Sequence, residues 1–147
     1  MKRLYFAAPL FSDAERIYNA KIVSLIEQLC PVFLPQRDGH LVKELMTQGM
    51  TIDSAFKEIR RADMNAIREC SLIVAVLDGA SVDDGVAFEI GYAFALHKTC
   101  LGLQTDFRRS IFGRNNPIVE LALKSIASDE ISLLRILEEE LQRLSSI

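Results

Sequence analysis

Short apolar runs alternate along this chain with longer stretches in which apolar residues recur every three or four positions. "RLYFAAPLF" (3–11) is short, apolar and bounded by a proline, and predicts a buried strand ending near Ala8. "SDAERIYNAKIVSLIEQL" follows, with Ser12 or Asp13 placed to cap a helix whose apolar face would be Ile17, Ile22, Leu25, Ile26 and Leu29. "PVFLP" (31–35) predicts a second strand, and the polar "QRDGHLVKELMTQGM" a loop with one helical turn. Residues 51–70 predict a full helix, with Phe56, Ile59, Ile67 and Cys70 on one stripe. "SLIVAVLDG" (71–79) is a near-continuous apolar run, as expected of a central parallel strand covered on both faces. After it come a helix through "DGVAFEIGYAFAL", a strand at "TCLGLQTD" (99–106), a short helix in "NNPIVELALKS", a brief extended piece at 125–127 and an amphipathic helix over 129–144.

Strands that alternate with helices predict a doubly wound α/β fold. Its sheet is expected to be mainly parallel, of four to five strands, with right-handed crossovers placing helices on both faces. No linker, repeat or low-complexity segment interrupts the pattern, so residues 1–147 are expected to form a single domain. In such sheets ligands bind beyond the carboxyl ends of the strands. The loops after Ala8, Pro35, Leu77 and Thr105 are therefore the expected ligand edge.

Composition narrows the function. The net charge is −3 and no basic stripe is present, so no nucleic-acid partner is expected. Cys30, Cys70 and Cys100 are odd in number and far apart, which suits small buried thiols better than a metal pair or a disulfide framework. No apolar run is long enough to span a bilayer and no leader is evident, so a cytoplasmic protein without a membrane partner is expected. His40 and His97 have no partner at ligand spacing, and no Gly-rich phosphate loop is present, so neither a metal nor a cofactor is expected.

The carboxylates are the informative residues. From Gly85 to Leu96, Glu89 is the one charged residue in what reads as a core helix. A carboxylate taken out of water without a partner is costly. No cation lies three or four residues away on the helix to pair with it. Helical side chains lean toward the preceding turn, so Glu89 leans over Gly85, which has no side chain. Either Glu89 reaches solvent or a distant cation, or it faces a cleft where it is used; the second is favoured. Asp63 occupies a core-side slot between Ile59 and Ile67, where it is either a functional acid or an edge residue paired with a nearby arginine. Asp83 and Asp84 open the Glu89 helix, and at least one is expected to cap it. Tyr5, inside the first strand, is a natural hydrogen-bond donor to a carboxylate above the neighbouring strand.

"LYFAAPLF", "RRADMNAIRECSLIVAVLDG" and "DDGVAFEIGYA" resemble the nucleoside 2-deoxyribosyltransferases and their relatives, the 2'-deoxynucleoside 5'-phosphate N-glycosidases. The resemblance implies a flavodoxin-like fold and a retaining double displacement. Glu89 would be the nucleophile on C1' of a 2'-deoxyribose, Tyr5 its orienting partner, and Asp63 a base contact that helps protonate the departing base. Asp83 matches the position that meets the 5' end of the sugar. Asn116 looks like the Asn of a segment that enters a neighbouring subunit's site, with Ile118 at a usual Met position. Gln36 and Asp38 are implied base contacts in a loop that aligns poorly, and Gly85 belongs to the substrate-binding turn. The implied partners are a 2'-deoxynucleoside and a free nucleobase, in a homo-oligomer with shared active sites.

Two other functions compete with the transferase. In the N-glycosidases the position six before the nucleophile is a small hydroxyl residue that serves a 5'-phosphate. Asp83 stands there in this chain, and its charge favours a 5'-hydroxyl nucleoside. Arg37 or Arg114 is the available phosphate clamp for the hydrolase. The third reading is a nucleoside- or nucleotide-binding sensor that lacks the chemistry; the presence of Tyr5, Asp63 and Glu89 argues against it.

Overall fold

The computed structural model describes residues 3–108 and 111–146. Five strands, β1 (Leu4–Ala7), β2 (Val32–Phe33), β3 (Leu72–Val76), β4 (Thr99–Leu103) and β5 (Ser125–Ala127), form one sheet in the order β2-β1-β3-β4-β5. Every neighbouring pair is parallel. This is the flavodoxin-like arrangement, with its switch point between β1 and β3. The helices are α1 (Asp13–Ile26), α2 (Pro35–Asp38), α3 (Val42–Thr47), α4 (Ile52–Glu69), α5 (Asp84–Ala95), α6 (Pro117–Glu120) and α7 (Glu130–Ser145).

The period of two along each strand divides the core into two layers. Leu4 and Phe6 of β1, with Leu72, Val74 and Val76 of β3, join Ile22, Val23 and Ile26 of α1 and Leu133 and Leu137 of α7. Tyr5 and Ala7, with Ile73 and Ala75, join Ala66 and Ile67 of α4 and Val86, Ile90 and Ala93 of α5. Strands β1 and β3 are buried on both faces, which is why they read as unbroken apolar runs.

Three expectations are corrected. The apolar face of α1 is built from Ile22, Val23 and Ile26 with Asn19, while Ile17 is 71% exposed and Leu29 lies near the surface. Asn19 takes the inner position because its amide donates to the Pro9 carbonyl at 2.9 Å and to the Gln36 side chain at 3.0 Å. In α4 Ala55 is buried in place of Phe56, which is 58% exposed. The helix packs on α3, and Ala66 and Ile67 in its second half join the sheet-side core. The stretch after β2 holds two short helices where the sequence predicts a loop with one helical turn; α2 starts on Pro35, whose fixed φ suits the first helical turn.

Candidate active site

Helix α5 begins just beyond β3, and its inner stripe is Val86, Ile90 and Ala93. Glu89 flanks that stripe in the second turn and reaches across toward β1. There the fully buried Tyr5 donates its hydroxyl to Glu89 Oε1 at 2.5 Å. Tyr5 is held from both sides in the sheet, in register with Ile73 of β3 and Phe33 of β2. Its ring stacks on Phe33 with centroids 5.5 Å apart and planes inclined by 13°.

Burial pushes the Glu89 carboxyl up to about 8, the Tyr5 hydrogen bond pulls against that, and the charges of Asp63 and Asp83 add to the rise. Asp63, from α4, is pushed up to about 6 by burial, with nearby His40 opposing the shift. The Tyr5 phenol is raised by burial first and then by the Glu89 and Asp63 charges. Among the described residues no ion pair holds Asp63. Two of the three arginines of α4 are engaged elsewhere, Arg61 with Glu58 at 2.5 Å and Arg68 with Asn65 at 2.5 Å. Tyr5, Asp63, Asp83 and Glu89 thus share one electrostatic neighbourhood beside the switch point.

Asp83 is the N-cap of α5 and accepts a hydrogen bond from the Val86 amide at 3.1 Å. Gly85 keeps room for that cap, since a Cβ there would lie 3.1 Å from Asp83 Oδ1. The other expected contacts have partners within the protein. Gln36 donates to the Arg16 carbonyl at 2.9 Å and accepts from Asn19. Asp38 accepts from the Leu34 amide and from the Arg37 guanidinium, each at 2.9 Å. Asn116 is exposed and caps α6, accepting from the Ile118 amide at 3.0 Å. Arg37 also pairs with Glu27 at 2.8 Å, and Arg114 binds Glu120 at 2.7 Å, so both arginines have internal carboxylate partners.

Two residues near the carboxylates escaped the sequence reading. His40 sits 3.8 Å from Glu58 and close enough to influence Asp63; as a loop residue distant in sequence, it gave no spacing signal. Phe33 read only as a strand residue, because its contact with Tyr5 depends on the register of β2 on β1. The turn after β3 is fixed to the loop after β4 by Asp78, which accepts from the Thr105 amide at 2.6 Å and from the Asp106 amide at 2.8 Å. Among the described residues no group of His, Cys, Asp and Glu could hold a metal ion, and no helix is long and apolar enough to cross a membrane.

The fold and site define a doubly wound α/β protein with two carboxyl groups in unlike environments beside its switch point. The chain belongs to the nucleoside 2-deoxyribosyltransferase family, whose model matches residues 4–130. A conserved protein from Enterococcus faecalis is 31% identical, with 95% of this chain and 99% of that one covered at a TM-score of 0.81. Two more distant structures share the fold. The 2-deoxyribosyltransferase of Bacillus psychrosaccharolyticus is 18% identical, with 90% of each chain covered at a TM-score of 0.72. A CMP N-glycosidase from Clostridium botulinum is 23% identical, with 93% of this chain and 99% of that one covered at a TM-score of 0.55. No curated protein matches the chain.

Proposed function

We propose that the protein is a nucleoside 2-deoxyribosyltransferase that acts through a covalent deoxyribosyl-Glu89 intermediate. The observation that carries this reading is the 2.5 Å hydrogen bond from buried Tyr5 to Glu89, the one acid in the apolar body of α5. Glu89 attacks C1' of the 2'-deoxyribose as the bond to the base breaks, and Asp63 supplies the proton the base takes with it. The facing carboxylate stabilises the oxocarbenium-like transition state, and its capture of the sugar divides one hard step into two. A second base then attacks C1', frees Glu89 and returns a proton to Asp63; water is the slower alternative acceptor. Tyr5 orients Glu89 and favours its ionised form. The raised Asp63 carboxyl, at about 6, suits a group that must hold and release a proton near neutrality. As written, the reaction draws on no metal or cofactor.

Asp83 supports a nucleoside with a free 5'-hydroxyl, because its charge is near enough to raise the Glu89 carboxyl and would repel a phosphate. Asn116 and Ile118 are proposed to enter a neighbouring subunit's site, and Gly85 to border the sugar. The engagement of Asp83 as a helix cap favours a second reading, hydrolysis of a 2'-deoxynucleoside 5'-monophosphate, in which Asp83 does nothing but cap.

Incubation with deoxyinosine and free adenine or cytosine, beside a deoxynucleoside monophosphate, tests both readings. A new nucleoside supports the transferase, and deoxyribose 5-phosphate supports the hydrolase. Neither product would reject both and leave a binding sensor. Mass spectrometry without an acceptor is expected to find a deoxyribosyl adduct on the peptide that contains Glu89.

A further inference from the structure

We propose that Phe33 is a positioning residue, whose ring holds the Tyr5 hydroxyl on the Glu89 carboxylate. The inference rests on the assignment of Glu89 as the working carboxylate and adds to it a residue outside the site as read so far. In the parallel pairing of β1 with β2, Tyr5 lies directly opposite Phe33, so both rings project from the same face. The rings stack at 5.5 Å. Across the strand on the other side, Ile73 of β3 stands opposite Tyr5 and is buried in the core. The phenol is therefore bracketed by a core aliphatic and by one aromatic wall.

That wall is the exposed flank of the arrangement. β2 is an edge strand of two residues, and among the described residues no further strand lies beyond it to stop Tyr5 from swinging away from α5. Phe33 is nonetheless only 8% exposed. Arg3, two residues before Tyr5 and hence on the same face of β1, places its guanidinium over the Phe33 ring at 5.1 Å. Arg3 and Tyr5 thus both contact the Phe33 ring. A ring packed by two neighbours keeps its angle, and a short hydrogen bond depends on the angle of the ring that carries it.

The charges facing Glu89 come from Asp63 of α4 and from Asp83 at the start of α5, and both oppose its ionisation. The Tyr5 hydroxyl, by its hydrogen bond, favours it. Loosening the ring should therefore raise the pH at which Glu89 loses its proton.

The test is a carboxyl 13C NMR titration of the full chain without substrate, with the Glu89 resonance identified from Glu89→Gln. Phe33→Leu removes the flat wall, and Phe33→Tyr keeps it. The expected result is a Glu89 titration about one unit higher in Phe33→Leu and unchanged in Phe33→Tyr. With it, kcat/KM at pH 7 falls about tenfold in Phe33→Leu alone, because one unit is a tenfold change in the ionised fraction. Phe33→Met, which preserves more of the volume, serves if Phe33→Leu does not fold. A folded Leu or Met variant whose Glu89 titrates as in the wild type overturns the proposal. Absence of turnover in the wild type would instead overturn the assigned activity, and the titration would still decide the role of Phe33.

Discussion

Burial lifts the Glu89 carboxyl from its ordinary 4.5 to about 8, so the folded protein holds a proton there over a range in which the unfolded chain has lost it. This contribution to stability is complete below about pH 4.5 and is lost as the pH rises through 8. Glu89→Gln, which cannot ionise, should remove that loss and be more stable than the wild type at pH 9 by on the order of 2–4 kcal/mol. Denaturant midpoints at pH 5 and pH 9 measure it, and parallel pH dependences in the two proteins would refute it. The proposed turnover makes the opposite demand, an ionised Glu89 beside a protonated Asp63. With Asp63 at about 6 and Glu89 at about 8, neutral solution holds most molecules with the protons the other way round. The profile of kcat/KM should be a bell with limbs near these two values, and the limbs belong to the pair rather than to either residue. Asp63→Asn should abolish the alkaline limb, move the acid limb upward toward that of Glu89, and lower the maximum by roughly 10²–10⁴. An unchanged bell in that variant would remove Asp63 from the chemistry.

Helix α5 was legible in the sequence because its elements agree: an acidic cap, an apolar body and a single carboxylate in the second turn. Strands β1 and β3 were legible for a related reason, since burial on both faces leaves no polar position to confuse the pattern. Legibility failed where an element leaves the sheet. Phe56 and Ile17 match a helical stripe, but the parts of α4 and α1 that carry them lie outside the main layers, and periodicity does not report where a layer ends. Gln36 and Asp38 lie on α2, a one-turn helix whose partners are set by α1 and β2, so their engagement within the protein could not be read from their own neighbourhood. Asp83 joins element and site. As the cap it satisfies the Val86 amide, and its removal to Ala should cost about 1 kcal/mol. Asp83→Ser keeps a capping oxygen and removes the charge, so the two roles separate. A hydrogen bond from a 5'-hydroxyl to the charged acceptor contributes about 1.5–3 kcal/mol. Against a 5'-phosphate the same charge repels by about 4 kcal/mol at an effective dielectric near 20. Asp83→Ser should therefore retain stability, weaken nucleoside cleavage and raise relative activity on the monophosphate, measured as kcat/KM for deoxyadenosine and its 5'-monophosphate. A wild type that already prefers the monophosphate would reduce Asp83 to its cap.

At the scale of the whole molecule, the segment around α6 carries apolar side chains that its own chain leaves uncovered. Ile118 is 85% exposed and Leu121 is 76% exposed. Asn116 caps α6 between them and the preceding turn, and among the described residues no hydrogen bond joins it to Tyr5, Asp63, Asp83 or Glu89. An apolar patch of this kind is a candidate contact between subunits. If Asn116 completes the site of a neighbouring copy, two variants that are each inactive should restore one another. Glu89→Gln lacks the nucleophile and keeps Asn116, while Asn116→Ala lacks the entering residue and keeps Glu89. In a randomly mixed symmetric dimer about a quarter of the sites combine an intact Glu89 with an intact Asn116. Equal amounts, unfolded together and refolded to exchange subunits, should therefore recover activity on the order of a quarter of the wild type's. The two proteins refolded apart and combined afterwards should recover little before subunits exchange. Ile118→Asp, which places a charge on the patch, should shift sedimentation toward the monomer and abolish the recovery. No recovery from a mixture that sedimentation shows to be oligomeric would mean that each site is complete within one chain, and that Asn116 serves only to cap α6.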